Sequence, residues 1–236
     1  MLTPVFWKNY FHVYDTLNEL IPYQELLLSI ASKVPKQRDI TIFDAGCGTG
    51  NLLRVLSKQA YTQLTGLDLS PVGIEIAKSK VPNAKLSIGD IKKPLPYADT
   101  SFDALVTNNT IYTIPVALRP GLFKEFFRIL KPGGTIIVSN IAVNFRPNQI
   151  YLHHIKNEIA QKGFIKTIVH AIRLLIPTLR IFYYNIRIRH ANTAGEYSFL
   201  TEEKQRSLLT TAGFQVLSEE RAYAGNAVIT KALKPS

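Results

Sequence analysis

The chain has 236 residues, of which 46% are hydrophobic, and a formal net charge of +11, which suits one domain with a substantial core. Its single cysteine, Cys47, excludes an internal disulfide framework and suits a reducing cytosol. No run of 18 uncharged apolar residues predicts a membrane-spanning helix, and residues 1–8 lack the ordered regions of a signal peptide. We therefore expect a single cytoplasmic domain over residues 1–236.

Residues 1–36 are predicted to form a helical cap on this domain. Aromatic and aliphatic side chains recur there at helical spacing, Pro22 interrupts the pattern, and a second amphipathic helix is predicted from Tyr23 to Val34. Tyr10 and Tyr14 lie one turn apart, so they should share one face of the first helix.

Residues 38–142 alternate strand and helix patterns, which predicts a parallel, doubly wound sheet. In the first unit, a buried strand at 40–43 and a helix from Asn51 flank the turn Asp44-Ala45-Gly46-Cys47-Gly48-Thr49-Gly50. A dinucleotide fingerprint would need a third glycine at position 51. The turn therefore predicts a nucleotide-binding corner of another kind.

The following strands end in polar side chains. The second strand ends at Asp68, and after Leu69 a helix begins with Ser70 as its cap and Pro71 at its first position. The third strand ends in Asp90-Ile91, and the fourth leads into Asn108-Asn109-Thr110-Ile111-Tyr112. The fifth strand follows a Pro-Gly-Gly turn at 132–134, and residues 199–233 supply a helix opened by Thr201 and two closing strands.

These segments, in this order, resemble the motifs of the class I S-adenosylmethionine-dependent methyltransferases. The resemblance covers about residues 38–142, with a weaker match over 199–233. It implies an α/β fold, a Rossmann-like, doubly wound sheet of seven mostly parallel strands with N-terminal helices and a helical insert after strand five. It also implies S-adenosyl-L-methionine as the cofactor and S-adenosyl-L-homocysteine as the product.

The resemblance further implies which residues bind the cofactor. The glycines of the turn would wrap the methionine part, Asp44 would lie near the amino group, and Asp68 would bind the ribose hydroxyls. Asp90 would accept a bond from the adenine amino group. The predicted set is Asp44, Gly46, Cys47, Gly48, Gly50, Asp68, Leu69, Asp90, Ile91, Asn108 and Tyr14.

Several of these residues have a structural alternative. Asp44 can hold loop amides, Asp68 can cap the next helix, and Asp90 can serve the turn before Lys92. Tyr14 can simply pack. Cys47 is interpreted as a packed residue rather than a nucleophile.

The sequence does not specify catalytic residues, because methyl transfer from a sulfonium mainly needs alignment and exclusion of water. His153 and His154 are candidates for a base near neutral pH, and Tyr112 is a candidate for lining the pocket. The absence of a proline pair after Asn108 argues against amino groups of bases or glutamine as acceptors. No cluster has zinc-site spacing, so no metal is predicted.

Residues 144–195 interrupt the strand–helix alternation with a basic, apolar insert that holds eight Lys or Arg residues and one acid, Glu158. Lys166, Arg173, Arg180 and Arg187 recur every seven residues and should line one stripe of a helix, which Pro177 is expected to kink or split. The insert is interpreted as a substrate lid with solvated cations. A contact with an anionic membrane surface through residues 162–190 and an RNA-binding patch are the alternatives.

The functional hypothesis is methyl transfer to a small, hydrophobic, lipid- or quinone-like acceptor. The insert leaves strand five at the same sheet edge as the cofactor turn, so it should form the acceptor pocket. An RNA methyltransferase is a weaker alternative, because the cations alternate with aliphatic side chains rather than exposed aromatic ones. A cofactor-binding protein that uses the scaffold for other chemistry is a third. The expected location is the cytoplasm, with peripheral membrane contact as the alternative.

Overall fold

The structure is a computed structural model that describes residues 4–193 and 198–236, so the predicted end of the insert at 195 lies outside the described residues. The helices are α1 Pro4–Tyr14, α2 Ile21–Ser32, α3 Asn51–Lys58, α4 Pro71–Lys80, α5 Arg119–Ile129, α6 Pro147–Lys162, α7 Phe164–Thr193 and α8 Glu202–Thr211. The strands are β1 Thr41–Ala45, β2 Gln63–Asp68, β3 Lys85–Ile88, β4 Phe102–Asn108, β5 Leu130–Ile141, β6 Gln215–Ala222 and β7 Ala227–Leu233. Short 3-10 turns occupy Asp15–Glu19, Ile111–Thr113 and Val116–Leu118.

The strands form one seven-stranded sheet in the order β3-β2-β1-β4-β5-β7-β6. β7 runs antiparallel to both of its neighbours, and the other pairings are parallel. The predicted doubly wound, mostly parallel sheet is therefore confirmed. Its order reverses between β1 and β4, which places a binding crevice at the carboxyl ends of these two strands.

Apolar side chains from alternate strand positions fill the layers on the two faces of the sheet. On β1, Ile42 belongs to the core layer that contains α2 and α3, whereas Phe43 belongs to the layer that contains α5 and α8. Val106 and Leu105 divide in the same way on β4. This alternation decides which polar residues at the strand ends share a face.

The predicted helix caps are confirmed at two positions. The Ser70 hydroxyl accepts a hydrogen bond from the Gly73 N–H at 3.1 Å, and the Thr201 hydroxyl accepts one from the Lys204 N–H at 3.1 Å. The predicted start of the second helix at Tyr23 is wrong, because α2 begins at Ile21 and holds Pro22 in its first turn. Proline is tolerated there because the first N–H groups of a helix have no partner within the helix.

The insert forms a helical hairpin of α6 and α7. Of the kink or split expected at Pro177, the split is wrong, since α7 runs unbroken from Phe164 to Thr193, and the kink stays a prediction. Leu174 and Ile181 are buried on either side of Pro177, and this packing holds the two halves in one helix although proline removes a backbone hydrogen bond. None of the helices in the described ranges is long and apolar enough to cross a membrane.

Candidate cofactor and acceptor site

The glycine turn between β1 and α3 leaves no room for side chains at two positions. Gly46 has φ +79°, and a Cβ there would lie 2.3 Å from the Thr110 side chain. Gly50, just before α3, has φ +75°, and a Cβ there would lie 2.9 Å from Ala77. Glycine is required on both counts, because positive φ and close approach both exclude other residues. The turn therefore brings bare backbone and the N-terminus of α3 to the crevice.

Asp68 joins the glycine turn to the end of β2. One of its carboxylate oxygens accepts a hydrogen bond from the Gly48 N–H at 2.8 Å, and the other accepts one from the Ser70 N–H at 2.8 Å. Burial raises the pKa of Asp68, and these two hydrogen bonds partly oppose the rise. Each oxygen retains a lone pair, so the side chain can support the turn and still accept bonds from a diol.

Asp44, at the carboxyl end of β1, is 2% exposed. Burial and, secondarily, the negative charge of Asp68 raise its pKa to about 8. Within the described ranges its carboxyl has no hydrogen-bond partner, so the alternative role of holding loop amides is not observed. A cationic group next to Asp44 would satisfy this buried acid.

Asp90 and its neighbours lie at the end of β3. The Asp90 carboxylate accepts the Lys92 N–H at 3.0 Å and pairs with the Lys92 ammonium at 3.4 Å, so its predicted turn role is observed. Ile91 is buried, whereas Leu69 is 60% exposed immediately after Asp68. The exposed apolar side chain of Leu69, with the carboxylates of Asp68 and Asp90 at neighbouring strand ends, suits a flat heteroaromatic ring with polar edges.

The N-terminal helices cover the glycine turn. The Phe11 ring lies so close to Gly48 that a Cβ there would be 3.3 Å from it. Asp15 accepts hydrogen bonds from the Thr49 hydroxyl at 2.7 Å and from the Lys80 ammonium at 2.7 Å. Sequence analysis missed this polar latch, because an acid near the end of a helix is usually solvated and nothing in its local pattern marks it.

Buried tyrosines lie against the same region of the sheet. The hydroxyls of Tyr14 and Tyr23 are 3.0 Å apart, the rings of Tyr10 and Tyr14 are 5.2 Å apart, and Tyr223 packs at 6.1 Å from Tyr23. Burial raises the pKa of all four phenols, which are therefore neutral at pH 7. Tyr14 thus packs in a cluster, and its predicted cofactor contact stays a prediction.

Two unsatisfied polar groups meet at the carboxyl ends of β4 and β5. Asn108 and Ser139 are paired in register, and the Asn108 Oδ1 and Ser139 Oγ atoms are buried without a hydrogen-bond partner among the described residues. They follow Val106 and Ile137 by two positions, which puts them on the sheet face that also holds Asp44, Tyr23 and Tyr223. Buried polar groups of native proteins normally have partners, so this pair marks a place for a polar ligand group.

Tyr112 is held by a residue that the sequence analysis missed. Tyr112 is buried with its ring 5.2 Å from that of Phe199. Arg119, 3% exposed, donates to the carbonyls of Tyr112 at 3.3 Å, Ile114 at 2.9 Å and Ser198 at 2.7 Å. Burial lowers the pKa of Arg119. Arg119 therefore fixes the segment after β4 and ties it to the start of the C-terminal region.

The two candidate histidines contact α2. His153 Nε2 is 3.1 Å from Glu25, and His154 Nδ1 accepts the Ile21 N–H at 3.3 Å. Neither makes a hydrogen bond to the glycine turn in the part of the chain described here. Their predicted catalytic role stays a prediction.

His154, Glu158 and His170 offer ligand atoms within 4.8 Å of one another, although the sequence predicts no metal site. Because His154 Nδ1 accepts the Ile21 N–H, its proton is on Nε2, which lies 3.4 Å from the Glu158 carboxylate. His170 and Lys162 contact the same carboxylate at 2.5 and 2.7 Å. Burial would raise the pKa of Glu158, but these bonds outweigh it and the pKa is lowered. The trio is an ionic network between α6 and α7.

The doubly wound sheet, the glycine turn at its switch point and the acids after β1, β2 and β3 are the arrangement of the class I S-adenosylmethionine-dependent methyltransferase fold. Residues 43–138 match a family model described as a methyltransferase domain. S-adenosylmethionine is the cofactor of this domain. The open turn, the partnerless Asp44 and the remaining lone pairs of Asp68 fit its ammonium, methionine and ribose groups.

Among curated proteins, the chain is 32% identical over 153 residues to the demethylmenaquinone methyltransferase of Chlorobaculum parvum and 35% identical over 155 residues to that of Chlorobaculum tepidum. The match covers 61% of this chain and 62% of each relative, so the chain matches about three fifths of their length. Among solved structures, a TehB-like S-adenosylmethionine-dependent methyltransferase from Corynebacterium glutamicum aligns over 98% of this chain and 100% of its own, with TM-score 0.64 and 17% identity. The cyclase SpnF aligns over 89% of this chain and 80% of its own, with TM-score 0.61 and 17% identity.

Proposed function

We propose that the protein transfers the methyl group of S-adenosylmethionine to a small, hydrophobic, quinone-like acceptor that carries hydroxyl groups. The observation that carries this proposal is the Asn108–Ser139 pair, whose Oδ1 and Oγ atoms are buried and unsatisfied among the described residues on the sheet face of Asp44, Tyr23 and Tyr223. An amide oxygen there requires a hydrogen-bond donor, which a hydroxyl of a reduced quinone supplies. The names of the curated relatives support the same acceptor class.

In this proposal the cofactor lies along the carboxyl ends of β1, β2 and β3. Asp44 pairs with its ammonium group, the bare backbone of Gly46 and Gly48 lies along the methionine part, and Asp68 binds the ribose. Leu69 and Ile91 enclose the adenine, with Asp90 at its edge. Cys47 is 8% exposed, and burial raises the pKa of its thiol, so it has no nucleophilic role.

The cofactor supplies an electrophilic methyl group on a positively charged sulfur. The protein aligns the acceptor's nucleophile with that methyl group and excludes water, and most of the rate follows from that alignment. Exchange of the carbon–sulfur bond for a bond to the acceptor would leave S-adenosylhomocysteine as the second product, and the proton lost by the acceptor would pass to solvent. In this proposal Asn108 orients the acceptor, in place of the cofactor contact expected from the sequence, and the tyrosines form an apolar wall beside it.

We further propose that the protein works in the cytoplasm at the surface of a membrane, since a quinone-like acceptor with an apolar tail is found in lipid. The RNA alternative is less favoured, because the cations of the insert are interleaved mainly with exposed aliphatic side chains. Phe164, Phe182 and Tyr183 are exposed there as well, which differs from the sequence expectation. Other chemistry on the same scaffold is a second candidate, because the cyclase SpnF has a similar fold.

The test is formation of S-adenosylhomocysteine, measured by mass spectrometry, with a reduced short-chain demethylmenaquinone, a simple phenol or a structured RNA as acceptor. We expect turnover with the reduced quinone and none with RNA. Asp68→Ala should weaken cofactor binding by about 2 kcal/mol, roughly thirtyfold, because it removes the partners of buried groups. Asp39→Ala, an exposed acid before β1, is the matched control. Tight cofactor binding without methylation of any acceptor would favour other chemistry.

A further inference from the structure

The outer side of α7 is an exposed apolar face. Its packed side is formed by Thr167, Leu174 and Ile181, which are 3%, 5% and 2% exposed. Ile165, at 79% exposed, and Ile172, at 68%, belong to the opposite side. With about 3.6 residues per turn, this second set centres roughly 130° around the helix from the packed one. It comprises Phe164, Ile165, Ile168, Ile172, Leu175, Leu179, Phe182, Tyr183 and Ile186.

A face of this size on a water-soluble domain requires a partner. An apolar helix face normally packs onto the protein core. In α7 a different face, which holds Leu174 and Ile181, already packs there, so the outer apolar face has no core to cover it.

The predicted cation stripe runs along one edge of this apolar face. Lys166, Arg173, Arg180 and Arg187 are all exposed and lie between the packed and the outer side. The 30 residues of α7 include no Asp or Glu. Arg173 contacts Glu19 of the 3-10 turn, so the other three cations carry the stripe's available charge.

Two grooves open on the same edge of α7. One has a volume of about 450 Å³ and is lined by Lys162, Lys166 and Arg173, by the acid Glu19 that pairs with Arg173, and by Asn18, Gln24, Val169 and His170. The other, of about 440 Å³, lies between α1 and α7 and combines Arg180 with Val13, Ile176 and Leu179. Both grooves place a cation beside apolar surface, which suits a lipid phosphate with its chains.

We propose that α7 lies in the surface of an anionic lipid bilayer, with its outer face in the acyl region and Lys166, Arg180 and Arg187 at the phosphates. The charge pattern selects this occupant over a second copy of the chain, because two acid-free helices would repel each other. Helices with one apolar face and cations at its border bind such surfaces.

This position would join the membrane to the active site, a consequence that rests on the proposed function. α7 packs on α1 through Tyr184 and Tyr10, whose rings are 5.8 Å apart. α1 in turn places Phe11 on the glycine turn. The groove between α1 and α7 therefore begins at the proposed lipid-contacting face of α7, and only α1 separates it from the glycine turn. An apolar acceptor could leave the bilayer along this groove without crossing bulk water.

The test is sedimentation of the full-length protein with vesicles of phosphatidylcholine containing 30% phosphatidylglycerol at low salt. We expect binding to these vesicles and much weaker binding to pure phosphatidylcholine. Replacing Lys166, Arg180 and Arg187 with Gln should weaken binding about a hundredfold, since each cation near the surface contributes about a factor of five. Replacing Lys58, Lys78 and Lys85, exposed lysines elsewhere with the same charge, should change it much less.

A second variant, Ile168→Gln with Ile172→Gln and Leu179→Gln, should abolish binding while thermal unfolding stays cooperative. Two outcomes overturn the proposal: no binding of the native protein to anionic vesicles, or a native dimer that this variant converts to a monomer. Turnover of the soluble short-chain quinone without vesicles separates the two proposals. If the protein binds vesicles but methylates no quinone, the proposed function is wrong and the proposed lipid-binding surface is retained.

Discussion

At the residue scale, Asp44 would couple cofactor binding to a proton if it pairs with the cofactor's ammonium group, as proposed above. With a pKa of about 8, its buried carboxyl is mostly protonated at pH 7. A ligand ammonium beside it would favour the ionised form, so the bound state holds fewer protons than the free state. The affinity for the cofactor must then rise with pH wherever Asp44 is protonated in the free protein but ionised in the complex.

We expect the affinity for S-adenosylmethionine to increase by up to about tenfold per unit between about pH 5.5 and 7.5, below the pKa of the free protein. Calorimetry in buffers of different ionisation enthalpy should detect release of close to one proton near pH 6.5. Asp44→Asn should bind more weakly and lose both the pH dependence and the proton release. An unchanged pH profile in that variant would remove Asp44 from the ammonium site.

At the scale of elements, the α6–α7 hairpin depends on a carboxylate that is almost fully buried. Glu158 is 1% exposed and is bonded by Lys162 from its own helix and by His170 from α7. His170 also reaches Glu19 at 3.1 Å, so the same network holds the hairpin on the N-terminal helices. The pKa of Glu158 is lowered in the folded state. The stabilisation by its carboxylate is therefore present at neutral pH and is lost as the pH falls through the folded-state pKa of Glu158.

Glu158→Gln should lower the free energy of unfolding at pH 7 by about 2 kcal/mol, because the cations around it lose their partner. Urea denaturation measures this difference, which should shrink as the pH falls through the lowered pKa of Glu158 in the folded state, where the native carboxyl becomes protonated as well. Glu75→Gln on the exposed side of α4 is the matched control and should change stability by less than about 0.5 kcal/mol. Equal stability of both variants at pH 7 would contradict the role of the network.

At the scale of the whole molecule, the N-terminal helices and the insert form one cover over the sheet edge. α7 packs on α1, α6 packs on α2, and the Asp15–Thr49–Lys80 latch fastens this cover to the glycine turn. α5 and α8 pack on each other in the core layer of the other sheet face.

We expect cofactor binding to slow hydrogen exchange in α1, the 3-10 turn after it and α7 together, with little change in α5 and α8. Lys80→Met should cut the latch, speed exchange in α1 and weaken cofactor binding. Protection that rises in α1 alone would show that α7 is not part of the same moving unit.

The sequence by itself determined the sheet, the glycine turn, the acids after the strands and the Ser70 and Thr201 caps. Each of these depends on residues within a few positions of one another: strand and helix periodicity, glycine at positive φ, and a hydroxyl three residues before its N–H partner. The cofactor class follows from that local pattern. The individual ligand roles of Asp44, Asp68 and Asp90 remain predictions for binding experiments.

The tertiary structure decided what distant residues do together. The Asp15–Lys80 latch, the bond from Arg119 to the Ser198 carbonyl and the contact of Tyr23 with Tyr223 join residues that are far apart in the sequence, and no local pattern specifies such pairs. The same holds for α7, where packing of Leu174 and Ile181 overrides Pro177 and turns a second apolar face outward. Local preference fixes which element forms, but only packing fixes which side chains meet, because burial is gained between elements rather than within them.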